Sequence, residues 1–304
     1  MTDAPRLPPE PRLQWPSAST RAVHIGPAPA QHAHWQIAVE VPVEINVNGV
    51  PFAVMLATPN DLVDLALGFA HTEHLLHDMH DTHAAMTDGR IAVHAHQQLD
   101  GIVLNIVVAP EQVNEAARAA RHLEGRTGCG LCGIESLAAL RARPRASSTA
   151  CTTQEGTAIT DTAILRAFAA LADQQPLNRS TRSVHAAAWC NSDGTLETVR
   201  EDVGRHNALD KLVGARRSSG AADAPGFIII TSRLSYELVY KAHALGARCL
   251  AAVSAPTSMA LDTAAALRLP LVCLATGPNA TPALAHFPTE AMAAARPLQP
   301  HTPE

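Results

Sequence analysis

Cys129-Gly130-Leu131-Cys132 sits in the segment GRTGCGLCGIE, bracketed by Gly128 and Gly133, and a helical pattern carrying Leu137 and Leu140 begins near Ile134. Both sulfurs therefore fall at or just before a helix start, where the helix dipole and the neighbouring Arg126 favour thiolate over thiol. A thiolate attacks the outer sulfur of a persulfide, and a second thiol within reach stabilises or releases what the first has acquired. Three other chemistries use such a pair. A structural zinc site needs four ligands, usually with a second close pair, and Cys151, Cys190, Cys249 and Cys273 contain none. A redox C-x-x-C follows a strand directly in a β-α-β unit, and no strand pattern precedes this one. A zinc deaminase joins H-x-E to C-x-x-C, and His71, Glu73, Cys129 and Cys132 imitate that set. Against it, Gly128 stands where a proline belongs and 55 residues separate Glu73 from Cys129. A zinc-dependent hydrolase using those four residues is the alternative reading.

A second set of residues suits an anion. Gly204-Arg205-His206-Asn207 places a glycine, a guanidinium, an imidazole and an amide ahead of a helix whose apolar face is Leu209, Leu212 and Val213, a combination fit for a phosphate or a pterin edge. Further on, Ser232, Arg233 and Ser235, then Ser254 and Thr257, then Leu274, Ala275, Thr276, Gly277, Pro278 and Asn279 fall in three loops that each follow a strand-like run. Ser and Thr there also make ordinary helix caps. Together, three such loops at strand ends point to a nucleotide, because unpaired helix amides face that edge of a parallel sheet. His71, His74, His77, His80 and His83 repeat every third residue, but a step of three drifts by about 60° per repeat on a helix, so they read as a solvated surface.

The elements that position these residues follow from periodicity. Residues 1–35 hold seven of the 22 prolines without sustained periodicity and read as a disordered tail. From Ile37 to Val47 the odd positions alternate as β-branched residues, Asn48-Gly49 marks a turn, and Phe52 to Leu56 forms the return strand. Side-chain oxygens in Thr58-Pro59-Asn60-Asp61 are placed to cap a helix over about 61–77, and a second hairpin turns at Asp100-Gly101. This is an α+β unit over residues 36–120. An Arg- and Gly-punctuated mobile loop over 121–150 carries the cysteine pair. Residues 151–285 then alternate strand and helix, so the chain as a whole is α/β, with a C-terminal three-layer domain around a largely parallel sheet. A tail spans 286–304.

With 304 residues and 47% apolar composition the chain can fill a core, and its net charge of −5 offers no broad cationic face for nucleic acid. No apolar run is long enough to span a bilayer and the N-terminus lacks a signal-peptide core, so the expected location is the cytoplasm, with no membrane partner and reduced thiols.

These blocks bring a resemblance into view. VPVEINVNG, ATPNDLVDLALGF, GRTGCGLCGIE, REDVGRHNALDKLVG, TSRLSYELVYKA and VSAPTS occur in the order that the formate dehydrogenase accessory sulfurtransferases, the FdhD family, display. The resemblance implies a cytidine-deaminase-like C-terminal domain without its zinc chemistry and therefore no structural metal. It also implies a cysteine desulfurase as sulfur donor, a persulfide on Cys129 assisted by Cys132, and a bis(molybdopterin guanine dinucleotide) molybdenum cofactor as cargo. Formate dehydrogenase is the implied recipient, and a homodimer the implied assembly. Family members carry an aromatic and a basic residue after the last strand, whereas Leu274-Ala275-Thr276-Gly277 has neither, leaving backbone donors for that contact.

Overall fold

The computed structural model describes residues 18–25, 31–77, 79, 81–119, 159–220, 224–277, 280–287 and 289. Strands β1 (Ala18–Ile25) and β2 (Gln31–Ala38) pair antiparallel along their whole length. The tail expected to stay unstructured to residue 35 is thus corrected: Trp35 and Ile37 belong to a hairpin that precedes the alternating run, and both are exposed.

β3 (Val41–Val47) and β4 (Val50–Ala57) form the predicted hairpin, with Asn48 at φ 50° and Gly49 at φ 79°, the left-handed pair that such a two-residue turn requires. Asn48 fixes the turn further, its Oδ1 accepting from Val108 N at 2.9 Å. β5 (Ile91–Gln97) and β6 (Ile102–Val108) form the second hairpin, and β3 runs parallel to β6, giving the order β4-β3-β6-β5. Helix α1 (Leu62–Thr72) covers one face of this sheet through Leu62, Leu65, Ala66 and Phe69. The expected cap at its start is absent: Asp61 lies at φ 50° and makes no capping bond, its carboxylate instead accepting from Asn60 Nδ2 at 2.7 Å. Short helices α2 (Thr82–Thr87) and α3 (Glu115–Ala119) complete this part.

The second half is built on a six-stranded sheet ordered β12-β11-β10-β9-β7-β8. Its strands are β7 (His185–Asn191), β8 (Leu196–Asp202), β9 (Gly226–Ile230), β10 (Leu250–Ala252), β11 (Leu271–Thr276) and β12 (Pro282–Phe287). Only β9, β10 and β11 run parallel to one another. β12, β7 and β8 pair antiparallel, so the largely parallel sheet expected from sequence is corrected to a mixed one. Hairpin β7–β8 needs no crossover, which is why a strand-helix rhythm read as parallel throughout fails there.

Alternate residues of each central strand face opposite layers. Ala187, Trp189, Ile228, Ile230, Leu250 and Ala252 pack under α6 (Arg205–Ser218), α7 (Tyr236–Ala244) and α8 (Ser258–Leu267). On the other face Ala188, Cys190, Phe227, Ile229, Cys249 and Ala251 meet α4 (Asp161–Leu171), which Thr160 caps by accepting from Ala163 N at 3.2 Å. The short helix α5 (Pro176–Thr181) receives its cap from afar: Glu201 accepts from Leu177 N at 2.9 Å and from Asn178 N at 2.8 Å.

The two halves meet where α1 crosses α6. A Cβ on Gly68 would overlap the carbonyl oxygen of Asp210, and one on Gly214 would overlap that of Asp64, so each helix presents bare backbone to the other. The histidine repeat belongs to the same seam. His71 Nε2 lies 3.1 Å from Ala244 O, His74 Nε2 3.0 Å from Tyr240 Oη and His83 Nδ1 2.6 Å from Ser218 O. Of the five read from sequence as a solvated surface, the half-buried His71 and His74 instead bridge to α7, His83 stays exposed while contacting α6, His77 is exposed, and His80 lies outside the described residues.

Candidate functional site

The strand registers bring the predicted loops to one edge. β9 ends at Ile230, opposite Ala252 of β10, which in turn pairs with Cys273 of β11. β7 runs the other way, so its first residue, His185, paired with Asp202 at the end of β8, lies at the same edge. Thr231 N donates to Ala186 O at 3.1 Å, and Ala186 N donates to Thr231 Oγ1 at 2.9 Å. Leu234 bridges to Pro256, and Thr257 N donates to Leu234 O at 3.0 Å, pinning two of the loops together. Gly204 to Asn207, Ser232 to Ser235, Ser254 to Thr257 and Leu274 to Gly277 therefore share one rim. Pro278 and Asn279 lie outside the described residues.

Three helices begin here, and their capping differs. Thr257 caps α8 by accepting from Ala260 N at 3.3 Å. Gly204 cannot cap α6 with a side chain, and Ser235 at the start of α7 does not: its Oγ is buried without a hydrogen-bond partner among the described residues. Neither cap residue thus offers the first-turn amides of α6 or α7 a side-chain acceptor, the condition that favours an anion.

Arg205 and His206 crowd His185. Burial first, then the positive charge of Arg205 and of His206, hold the His185 imidazole below its ordinary pKa, with Asp202 opposing. His206 Nδ1 lies 2.8 Å from Glu237 Oε2, with the ring turned off the line of an ideal hydrogen bond. Burial alone would raise the Glu237 carboxyl, but His206 and Lys241 outweigh it and keep that carboxyl below its usual value. Asn207 has its amide committed, Nδ2 donating to Leu56 O at 2.7 Å and to Asp202 Oδ1 at 3.0 Å. Ser232 is buried and donates to Arg233 O at 3.2 Å, while Arg233 itself is exposed. Gly277 N donates to Thr281 O at 2.8 Å, and Leu274 and Ala275 are half-buried beside the exposed Thr276.

Below this rim lie two buried ion pairs on α6 that sequence reasoning did not assign. Lys211 Nζ pairs with Asp202 Oδ2 at 2.7 Å and donates to Thr58 O at 3.0 Å. The other Asp202 oxygen takes Gly204 N at 2.7 Å, and Thr58 N donates to Oδ2 at 2.9 Å. At the preceding residue of the helix, Lys241 Nζ lies 2.8 Å from both carboxylate oxygens of Asp210, with Thr72 Oγ1 donating to Oδ1 at 2.7 Å. Glu73 at 3.5 Å and Glu237 at 3.7 Å complete the carboxylates around Lys241. Burial would strip the Lys241 proton, yet these three carboxylates raise its pKa, so the ammonium is kept. Glu237 and Lys241 stand four apart in a helix of mainly apolar residues, the one signal in sequence that this face carries buried charge.

Cys129 and Cys132 lie outside the described residues, as does Cys151. Cys190, Cys249 and Cys273 are buried, and burial pushes all three thiols up, Cys249 to about 12. Of the residues the alternative hydrolase would use, His71 contacts Ala244 O and Glu73 sits beside Lys241, so both are engaged inside the fold. No described helix is long and apolar enough to cross a membrane.

Comparison with known proteins agrees with this architecture. The FdhD/NarQ family profile matches residues 38–282. A sulfur carrier protein FdhD from Xanthomonas campestris pv. campestris (strain B100) is 42% identical over 237 residues, spanning 78% of this chain and 79% of its own. One of the same name from Variovorax paradoxus (strain S110) is 46% identical over 225 residues, spanning 74% and 76%. A crystal structure from Desulfotalea psychrophila, provisionally named a formate dehydrogenase accessory protein, superposes with a TM-score of 0.62 over 90% of this chain and 97% of its own at 19% identity, a likeness of fold. The profile and these relatives together cover the seam, the rim and the cysteine pair, and the chain belongs to the FdhD/NarQ family.

Proposed function

We propose that this protein is a sulfur carrier in the maturation of formate dehydrogenase. Similarity to proteins named sulfur carrier protein FdhD, over about three-quarters of both chains, carries the reading. The chemistry adds support. A carrier needs a thiolate at neutral pH, which the buried thiols of Cys190, Cys249 and Cys273, with their raised pKa, do not supply; place in the C-x-x-C motif gives the task to Cys129, with Cys132 as its partner. The Cys129 thiolate attacks the outer sulfur of a persulfide on a cysteine desulfurase. A new S–S bond forms as the donor's bond breaks, the donor leaves as thiolate, and Cys129 holds the sulfur as its own persulfide.

The recipient in this proposal is a molybdenum cofactor carrying two guanine dinucleotides, bound as cargo at the rim of the six-stranded sheet. Open helix starts at Gly204 and Ser235 with Arg205, His206 and Arg233 suit its phosphates. Sheet layers faced by α4 on one side and by α6, α7 and α8 on the other fit a cytidine-deaminase-like ancestry for this half. A homodimer working in the cytoplasm completes the proposal.

Incubation with a cysteine desulfurase and cysteine is expected to add one sulfur, about 32 Da, to the Cys129 peptide in mass spectrometry. In cells, Cys129→Ala is expected to abolish formate dehydrogenase activity. Full activity in that variant would remove Cys129 from the mechanism.

A further inference from the structure

Strand register brings three of the 16 histidines together on the hairpin ahead of the four-stranded sheet. In the antiparallel pairing of β1 with β2, His24 stands directly opposite His32, and His34 stands opposite Ala22. Successive residues of a strand alternate between faces, so His32 and His34, two apart in β2, share the face that His24 occupies. Thr20 and Gln36 are the next opposed pair on that face, and there Gln36 Nε2 donates to Thr20 Oγ1 at 2.7 Å. His34 is exposed, as are Trp35 and Ile37 on the opposite face. A two-stranded ribbon is marginally stable on its own, so this one gains from any link between its strands.

We propose that His24, His32 and His34 form a binding site for a divalent transition cation, with zinc the fitting ion. Directly opposed residues of an antiparallel pair hold their Cβ atoms about 4.5–5.5 Å apart, and diagonal neighbours such as His24 and His34 stand about 7–8 Å apart. Separations of that size let three imidazoles meet one cation at about 2.0–2.1 Å. Imidazole nitrogen suits zinc, and three such ligands leave the fourth tetrahedral position to water. The metal joins β1 to β2 and closes the chain between His24 and His32, so its binding energy stabilises the hairpin. All three positions precede residue 38, where the family profile begins, and the proposal stands apart from the sulfur-carrier reading. The absence of a structural metal implied by the resemblance concerns the part of the chain behind this hairpin.

The test is calorimetric titration of the metal-free full chain with zinc, in a Cys129→Ala, Cys132→Ala background so that the cysteine pair takes none. One zinc per chain is expected. Loss of a residue that only orients a ligand already weakens metal binding about 10–100-fold, so His24→Gln, His32→Gln or His34→Gln is expected to weaken it at least about tenfold. His94 and His96, whose rings stack at 6.5 Å on β5, serve as the control, and His94→Gln is expected to bind zinc as its parent does. Melting without zinc shows whether each variant folds like its parent. Zinc is also expected to move the ring nitrogen resonances of His24, His32 and His34 and not those of His94 and His96, a reading that needs none of the histidine variants. No zinc bound by the parent chain would overturn the proposal, and so would equal binding by the parent and all three hairpin variants, the result of adventitious uptake by other histidines.

Discussion

Burial sets the direction of the pKa shift at His185, His243, Asp210 and the three described cysteines, whereas neighbouring charge outweighs it at Glu237 and Lys241. His243 on α7 is 7% exposed, and burial alone depresses its pKa below the ordinary imidazole value, while His185 is lowered by burial and by its cationic neighbours. A histidine with a depressed folded pKa stabilises the protein above its unfolded value, and that stabilisation disappears as pH falls through the folded one. The melting temperature is therefore expected to drop on acidification from pH about 7.5 through about 6.5 toward about 5. In His243→Gln the drop should be shallower, whatever the variant's stability at neutral pH. Asp210 runs the other way, since burial raises its carboxyl, but it is common to both proteins and leaves the difference to His243. An identical slope in the two would show that His243 does not titrate on unfolding. Sequence alone marked the run from Arg200 to Gly214 as important without separating its roles. Arg205 and His206 reach the rim, whereas Asp202, Asn207, Asp210 and Lys211 hold residues more than a hundred positions distant, such as Thr58 and Thr72, and no local pattern encodes that pairing.

At the level of elements, the crossing of α1 and α6 is the tightest contact described. Because the atoms that a new Cβ would meet at Gly68 and Gly214 are backbone, no side chain can rotate to make room. Gly68→Ala or Gly214→Ala is expected to cost more than about 3 kcal/mol, despite the gain in helix propensity that alanine brings. Thermal or urea unfolding measures it, and a variant within about 1 kcal/mol of wild type would mean the helices can part at little cost. Elements with strong periodicity were legible: β3 with its Asn48-Gly49 turn, the β5–β6 hairpin, and α4 behind Thr160. β1, β2 and β12 were not. Their residues, such as ASTRAVHI and PALAHF, mix alanine, histidine and proline with few β-branched residues, so pairing with a neighbour rather than local preference makes them strands.

Taken whole, the molecule joins its four-stranded and six-stranded sheets through one electrostatic seam. Asp64 accepts from Arg200 Nε at 2.8 Å, Glu73 and Thr72 engage Lys241, and Thr58 engages Asp202 and Lys211, so each half supplies what the other half's buried charges need. Removing one partner of such a pair leaves a buried charge uncompensated, a loss of roughly 3–5 kcal/mol. A fragment of residues 159–289 expressed alone is therefore expected to lack the cooperative melt of the full chain, since Arg200 loses Asp64, Lys241 loses Glu73 and Thr72, and Asp202 and Lys211 lose Thr58. A stable fragment melting as sharply as the intact protein would show the seam to be dispensable. Two units divided near residue 120 were expected from sequence; the four-stranded sheet is built from residues before that position and the six-stranded sheet from residues after it. Their dependence on each other lay hidden in isolated polar residues on helices, which read as surface until the opposite helix is in place.

The sealed position of Cys190, Cys249 and Cys273 has a practical corollary. An alkylating reagent added to native protein meets none of these three sulfurs until the sheet opens, so their modification becomes a clock for global opening.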